Sequence, residues 1–139
     1  KYVTDFPNDK IALVHNVIAL PHLGASTPES EENCARMAAD QLKDYLINGN
    51  IKNSVNLPNV HQDWSGISRV CLIHKNIPAM LTKITTILSD EGVNVENLTN
   101  KSKKDYAYTM VDLNGRIKDA VADELRAIPG MIRVRVINH

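Results

Sequence analysis

The sequence predicts an α+β fold, and three features of the region from residue 69 onward carry that prediction. Apolar and polar residues alternate in some stretches with the period of a strand. In others, apolar residues recur with the period of an amphipathic helix. Turn residues separate these stretches. The strand-like stretches include 106–113 and 132–136, the helix-like stretches are 80–88 and 117–128, and the turn residues are Gly92, Asn114-Gly115 and Pro129-Gly130.

The first predicted helix of the region from residue 69 onward lies within the stretch HKNIPAMLTKITTILSDEGVNVENL. Asn76 is the predicted N-cap, because its side-chain oxygen can accept from a free amide of the first turn. Pro78 suits the first helical position, where a missing N–H costs nothing. Gly92 is predicted to end the helix in a left-handed turn, and Val93 to start the next strand. The apolar stripe of the helix is Met80, Leu81, Ile84, Ile87 and Leu88.

The predicted order is βαββαβ, a ferredoxin-like unit with two helices on one face of an antiparallel sheet. Its first strand contains Val70 and Leu72, and a polar hairpin connection spans 101–105. The sheet face away from the helices is too apolar to lie in water, so we expect a helix at 28–48 to cover it, or to pair with the same helix of a second copy. The residues predicted on that face are Cys71, Ile73, Tyr106, Tyr108 and Met110, beside Arg133 and Arg135.

The region before residue 69 predicts a strand–helix remnant of a Rossmann-type nucleotide-binding domain. The run Val17–Leu20 is typical of a buried parallel strand. Thr27 is the predicted cap and Pro28 the first residue of a helix that ends at Gly49. We therefore predict the tail of a nucleotide-binding domain at 1–49, a linker at 50–68 and a ferredoxin-like domain at 69–139.

Composition narrows the function classes. The 16 basic and 16 acidic side chains give zero net charge, which argues against nucleic acid as a partner. No apolar run approaches the length of a membrane span, and the start lacks a signal-peptide pattern. Cys34 and Cys71 are predicted to be buried, reduced thiols without metal-ligand spacing, so we expect a cytoplasmic protein with no metal site.

Polar groups collect at one end of the first predicted helix: His74, Asn76, the free amides of 78–81, and Asn94. Free N–H groups and the helix dipole favour a small carboxylate there. The plainer interpretation is that His74 and Asn76 only satisfy the loop. His22, after the Val17–Leu20 strand, could likewise be a loop histidine with a structural hydrogen bond.

Two stretches carry a family resemblance. Residues 17 to 59, with PHLGASTPESEENCARMAADQL and NSVNLP, resemble the end of the nucleotide-binding domain of D-3-phosphoglycerate dehydrogenases, within the D-2-hydroxyacid dehydrogenase family. Residues 69 to 138, with HKNIPAML, EGVNVENL and AIPGMIRVRVI, resemble the ACT regulatory domain that follows in many of those enzymes. The chain is thus expected to be a C-terminal fragment.

The resemblance implies an NAD-dependent oxidoreductase of serine biosynthesis. His22 would be the general acid/base, Asp9 would be its acidic partner and Gly24 would lie against the nicotinamide. The family's glycine-rich phosphate loop and substrate-binding arginine are not found in this sequence. The fragment is therefore expected neither to bind NAD by that mechanism nor to turn over.

The resemblance also implies L-serine, or another small amino acid, as a feedback inhibitor bound between two subunits of a homodimer or tetramer. His74 and Asn76 would come from one subunit and Asn94 from the other. In the family, the first strands and helices pair side by side and extend the sheet. The effector-binding set also includes Ala79, Met80 and Leu81, where Ala79 replaces a common glycine and its methyl narrows the pocket.

Two further function classes compete with a serine sensor. One is an ACT-type unit that only holds subunits together, the serine response having been lost with Ala79. The other is a metal carrier on the same fold, which the absence of a cysteine or histidine pair with ligand spacing in the first loop disfavours.

Overall fold

The computed structural model describes residues 1–138, which divide into two compact units, one spanning 1–40 and the other starting at Gln41. The strands are β1 (Tyr2–Thr4), β2 (Val17–Ala19), β3 (Ser68–Lys75), β4 (Val95–Lys103), β5 (Tyr106–Leu113) and β6 (Met131–Asn138). The helices are α1 (Pro28–Asn48), α2 (Met80–Asp90) and α3 (Asp119–Ala127).

The first unit pairs β1 with β2 in parallel, with Val3 opposite Ile18. The predicted strand is thus present, but it is not the buried strand we expected, because Ile18 is 44% exposed. A two-stranded sheet has no flanking layers to bury its faces. The start of α1 is as predicted, since the Ser30 amide donates to Thr27 Oγ1 at 3.3 Å and Pro28 is the first helical residue.

The second unit has the predicted ferredoxin-like βαββαβ topology. Its four strands are all antiparallel, in the order β4-β5-β3-β6. Helices α2 and α3 pack on one face, where alternate strand residues meet the helix stripes in a single core. The buried apolar residues of that core include Val70, Leu72, Ile84, Leu88, Val111, Leu113, Leu125 and Val134.

This topology corrects the expected strand pairing between subunits. Strand β3, the first of the βαββαβ unit, lies between β5 and β6, so its backbone groups on both sides are already paired. A second copy can extend the sheet only at a strand with a free side, which means β4 or β6.

The N-terminus of α2 also differs from the prediction. The helix begins at Met80, and the residue before it is Ala79, in the left-handed conformation with φ 64° and without a side-chain cap. The Asn76 side chain is not a cap; its amide donates to the Lys104 carbonyl at 3.3 Å. Pro78 therefore lies in the turn before the helix, and as a proline it has no amide to offer.

Other boundaries shift by a few residues. The strand predicted from Val93 starts at Val95, and β4 continues to Lys103, so the hairpin connection is only Lys104 and Asp105. Lys104 takes a positive φ of 56°, which a two-residue hairpin turn commonly requires. At the end of α2, Gly92 has a φ of 78°, as predicted.

The sheet face away from the helices is covered mainly by the segment 50–63. An isolated bridge between Ile51 and Val60 places both side chains against Cys71, Tyr108 and Met110. From α1, Tyr45 packs against this cluster, and the Tyr108 hydroxyl donates to the Gly49 carbonyl at 2.7 Å. The expectation that α1 covers this face is thus only partly right, since Leu42 and Leu46 are each 61% exposed.

The cysteines divide between the two environments. Cys71 is buried, and burial raises the pKa of its thiol, so it stays protonated and packs as a small apolar side chain. Cys34 is exposed on α1, which contradicts the prediction that both cysteines are buried.

A fully buried ion pair joins the segment 50–63, which we call the covering segment, to the sheet. Arg69 on β3 donates to Asp112 on β5 at 2.5 Å from Nε and 2.8 Å from Nη2. Two of its other N–H groups donate to the carbonyls of Asn48 at 2.7 Å and Asp63 at 3.0 Å. The guanidinium carbon also lies 4.5 Å from the Trp64 ring centroid. One guanidinium therefore joins the end of α1, the covering segment and two strands.

Candidate functional site

The candidate effector site lies at the end of the sheet where β3 passes into α2. His74 is 2% exposed there, and both of its ring nitrogens face protein atoms. Nδ1 lies 2.8 Å from the Lys75 carbonyl, which can only accept, so Nδ1 carries a proton. Nε2 lies 2.8 Å from Thr109 Oγ1, which in turn lies 2.8 Å from Asn100 Oδ1. The imidazole thus uses both ring nitrogens to stabilise the start of the loop between β3 and α2.

Asn76 and the start of α2 form the exposed part of this end. The Asn76 amide donates to the Asp105 carbonyl at 2.8 Å, which fixes the loop against the β4–β5 hairpin. The first intrahelical bond of α2 runs from the Lys83 amide to the Ala79 carbonyl at 3.1 Å. The amides of the first turn therefore precede the hydrogen-bond ladder and point out of the helix. Such a terminus attracts a carboxylate.

Met80 and Leu81 have different surroundings within that turn. Met80 is 2% exposed and belongs to the core, so only its backbone amide can serve a ligand. Leu81 is 36% exposed and can contact one. The structure thus places His74, Asn76, Ala79, Met80 and Leu81 around one tip of the sheet, which we call the α2 tip.

Ala79 takes a conformation that suits glycine. The left-handed region costs an L-residue about 1–2 kcal/mol, so glycine is favoured here for the backbone turn as well as for ligand approach.

We expect Ala79→Gly to raise the free energy of unfolding by about 1 kcal/mol, measured by urea denaturation. Ala120→Gly, in the right-handed helix α3, is the control and should lower it by about 1 kcal/mol. A loss of stability in Ala79→Gly would contradict this account.

Asn94 lies at the opposite end of the sheet. Its backbone amide donates to Asn114 Oδ1 at 2.9 Å, and the Asn114 backbone amide donates to the Asn94 carbonyl at 3.0 Å. Along β5, Ala107 pairs with His74 and Leu113 pairs with Val95. Six residues of an antiparallel strand separate those two positions by about 20 Å. Within one chain, Asn94 therefore cannot join the α2 tip.

The residues assigned to catalysis lie in the first unit. His22 Nδ1 is 3.2 Å from Asp5 Oδ2, and both side chains are about 60% exposed. The Phe6 ring packs edge-on to the imidazole, with ring centroids 5.5 Å apart. The carboxylate beside His22 is thus that of Asp5, whereas Asp9 lies in the turn after Asn8. The Gly24 carbonyl accepts from the Ser30 hydroxyl at 2.9 Å, and the space where its Cβ would stand is open.

Within residues 1–138, no three histidine, cysteine or acidic side chains are placed to hold a metal ion. None of the three described helices is long and apolar enough to cross a membrane.

Sequence reasoning did not anticipate the Arg69–Asp112 pair. Both residues sit at strand positions with 0% exposure, and an arginine and an aspartate in otherwise apolar strands were the available signal. Burial alone would raise the pKa of Asp112, but hydrogen bonding to Arg69 and its positive charge hold the pKa below its ordinary value. Asp112 is therefore ionised at neutral pH.

Comparisons with known proteins agree with the sequence resemblance. No family model matches the chain. D-3-phosphoglycerate dehydrogenase of Escherichia coli is 32% identical over 124 residues, which cover 88% of this chain and 30% of that enzyme. The Haemophilus influenzae enzyme is 32% identical over 123 residues, with the same shares covered. For D-3-phosphoglycerate dehydrogenase 2 of Saccharomyces cerevisiae the identity is 32% over 131 residues, with 88% of this chain and 27% of the enzyme covered.

Among solved structures, the ACT domain of GTP pyrophosphokinase from Chlorobium tepidum aligns with a TM-score of 0.45 at 16% identity, covering 50% of this chain and 95% of that one. The C-terminal domain of the MgtC protein from Mycobacterium tuberculosis aligns with a TM-score of 0.44 at 14% identity, covering 58% and 94%. The chain spans about 30% of the length of the curated relatives it matches. By its sequence, this chain is a relative of the D-3-phosphoglycerate dehydrogenases, and it corresponds to the C-terminal part of those enzymes.

Proposed function

We propose that this chain is the regulatory part of a D-3-phosphoglycerate dehydrogenase, which oxidises 3-phosphoglycerate with NAD in the first step of serine synthesis. Its ferredoxin-like unit acts as an ACT domain and binds L-serine, or another small amino acid, between two copies. Bound serine inhibits the enzyme by favouring one relative arrangement of its domains. His22 serves as the acid/base group of the intact enzyme, and this chain alone is inactive.

The observation that carries the proposal is the position of Asn94 relative to the α2 tip. Strand β4 is at an edge of the sheet, begins next to Asn94 and ends at the hairpin that contacts Asn76. If two copies pair antiparallel through β4, the start of one β4 lies beside the end of the other. That pairing brings Asn94 of one copy toward the α2 tip of its partner, and it does so twice by symmetry.

The chemistry of the assembled site fits an amino acid. The helix amides before Lys83 favour the carboxylate, and the side-chain oxygens of Asn76 and Asn94 can accept from the ammonium. His74 is a positioning residue in this proposal, because its nitrogens are engaged with Lys75 and Thr109. It keeps the loop that carries Asn76 in place.

A second candidate is a dimerisation unit without a ligand response. It is favoured by the same engagement of His74, which leaves no free imidazole nitrogen for a ligand. The Ala79 methyl also favours it, because that methyl narrows the pocket. In that case the β4 edges pair but no amino acid binds between them.

Calorimetric titration with L-serine separates the two candidates. We expect saturable heat with one serine per chain, from a species that sedimentation shows to be a dimer. D-serine is the control, since its hydroxymethyl group would point differently from the same carboxylate and ammonium. A folded dimer that gives no heat with millimolar L-serine would instead support the purely structural unit.

A further inference from the structure

An open groove lies on the sheet face away from the helices, at the hairpin end. The segment 50–63 covers most of that face, but it leaves the face open beside Leu57, where Ile73 is only partly buried. The groove has a volume of about 520 Å³, within the range of about 300–1,000 Å³ that small-molecule sites occupy. Its lining residues are Asn56, Leu57, Ile73, Tyr106, Ile132 and Arg133.

An irregularity in β6 gives the groove one of its walls. Ile73 pairs with Arg133 while the next residue, His74, pairs with Met131, so Ile132 is an extra residue in the strand. Such a bulge lets consecutive side chains line the same surface, which regular alternation forbids. Ile132 and Arg133 both line the groove for this reason.

The polar groups of the groove are all potential hydrogen-bond donors to an anion. Arg133 is exposed and, among residues 1–138, has no hydrogen-bond or ion-pair partner. By contrast, Arg135, two positions along β6, donates to the carbonyls of Tyr45 and Leu46. The Asn56 side-chain oxygen already accepts from Ser54, which leaves its NH₂ group to donate.

The remaining surface of the groove is apolar. Leu57 and Ile73 form its floor, and the rings and methyl groups of Tyr106 and Ile132 stand beside them, 43% and 52% exposed. No carboxylate is among the lining residues. A guanidinium without a counter-ion at the edge of an apolar floor is complementary to an anion attached to an apolar body.

We propose that this groove binds a small monocarboxylate with an aromatic or branched apolar body, its carboxylate paired with Arg133 and its body on Ile73 and Tyr106. The site is separate from the α2 tip: Arg133 and Ile73 face the side of the sheet opposite to α2 and α3. Ligand binding there does not depend on serine binding.

Phenylacetate is the probe, titrated into the whole chain while amide and methyl NMR signals are followed. We expect saturable shifts centred on Ile73, Tyr106 and Ile132, with a dissociation constant in the millimolar range or below. Phenylacetamide has the same body without the charge and should bind about tenfold more weakly, as expected for loss of one charge-assisted hydrogen bond. Inorganic phosphate should not reproduce the apolar shifts.

Two arginine variants complete the test. Arg133→Gln should weaken phenylacetate binding about tenfold and leave the L-serine titration unchanged. Arg126→Gln is the matched control, because Arg126 is an exposed arginine on α3, paired with Asp123; it should bind phenylacetate like the parent chain. The proposal is overturned if phenylacetamide binds as well as phenylacetate, if Arg133→Gln binds normally, if phosphate gives the same shifts, or if no shift saturates.

Discussion

Replacing Asp112 with asparagine is expected to lower the free energy of unfolding by about 3–5 kcal/mol, because it leaves the Arg69 charge buried without its counter-ion. Both side chains are fully buried, and Arg69 cannot turn toward water without also releasing the Asn48 and Asp63 carbonyls. Urea denaturation at neutral pH measures the loss. Since the pair joins β3 and β5 to the covering segment, we expect that segment to lose protection from hydrogen exchange as well.

The control for this variant is an exposed ion pair. Asp123→Asn removes the partner of Arg126 on the surface of α3 and should change stability by less than about 1 kcal/mol. An equally small change in Asp112→Asn would mean that the buried pair contributes little.

The same carboxylate predicts how stability depends on pH. The pKa of Asp112 is below its ordinary value of 3.8 in the folded chain, so the folded state binds the proton less readily than the unfolded state. The stability this group contributes is therefore fully present above pH 3.8 and is lost as the pH falls through 3.8 toward the folded pKa. The difference between the parent chain and Asp112→Asn should be largest near pH 7 and shrink below pH 3.8. A difference that stays constant down to pH 3 would contradict the assignment.

Asn94→Ala and Asn76→Ala are each expected to weaken L-serine binding by about 10- to 100-fold, because each removes a hydrogen-bond partner of a charged ligand group. Both side chains are exposed, and their main-chain hydrogen bonds do not need the side chain, so folding should be preserved. Titration calorimetry measures the loss, and sedimentation should show an unchanged dimer.

Asn56→Ala is the matched control, an exposed asparagine on the other face of the sheet. It should bind serine like the parent chain. Normal serine binding by Asn94→Ala would remove Asn94 from the site.

Local patterns predicted much of the ferredoxin-like unit. The alternation from Tyr106 to Leu113 predicted the bounds of β5. The period of apolar residues in α2 predicted a stripe in which Met80, Ile84 and Leu88 are buried, whereas its member Leu81 is 36% exposed. These features depend on residues close in sequence, whose spacing directly encodes which face is buried. Thr27 as the cap of α1 belongs to the same class.

Features that depend on distant residues were not predictable in this way. Asn76 is a residue type that is favoured at helix caps, but its side chain donates to the carbonyl of the hairpin residue Lys104. The residue that precedes the helix is Ala79, in the left-handed conformation. The apolar residues Ile51 and Val60 are too sparse to signal a packed segment, yet their bridge places both on the sheet.

The composition of the α2 tip was predictable from the sequence, but its arrangement was not. Spacing along the chain placed His74 and Asn76 at the N-terminal end of α2. It did not show that His74 is buried against Thr109, since that contact joins residues 35 apart in sequence. Nor did it show that β3 is a central strand, which directs any pairing between copies to an edge strand such as β4.

Mixing the two weakened variants tests the shared site most directly. Asn76→Ala and Asn94→Ala, each lacking parent-affinity serine sites as a homodimer, are unfolded and refolded together in equal amounts. In a mixed dimer one site carries both substitutions and the other carries neither, so about one quarter of the parent's serine sites should return. If each chain held its site alone, no chain in the mixture would be intact, and the absence of any recovered serine binding would contradict the account.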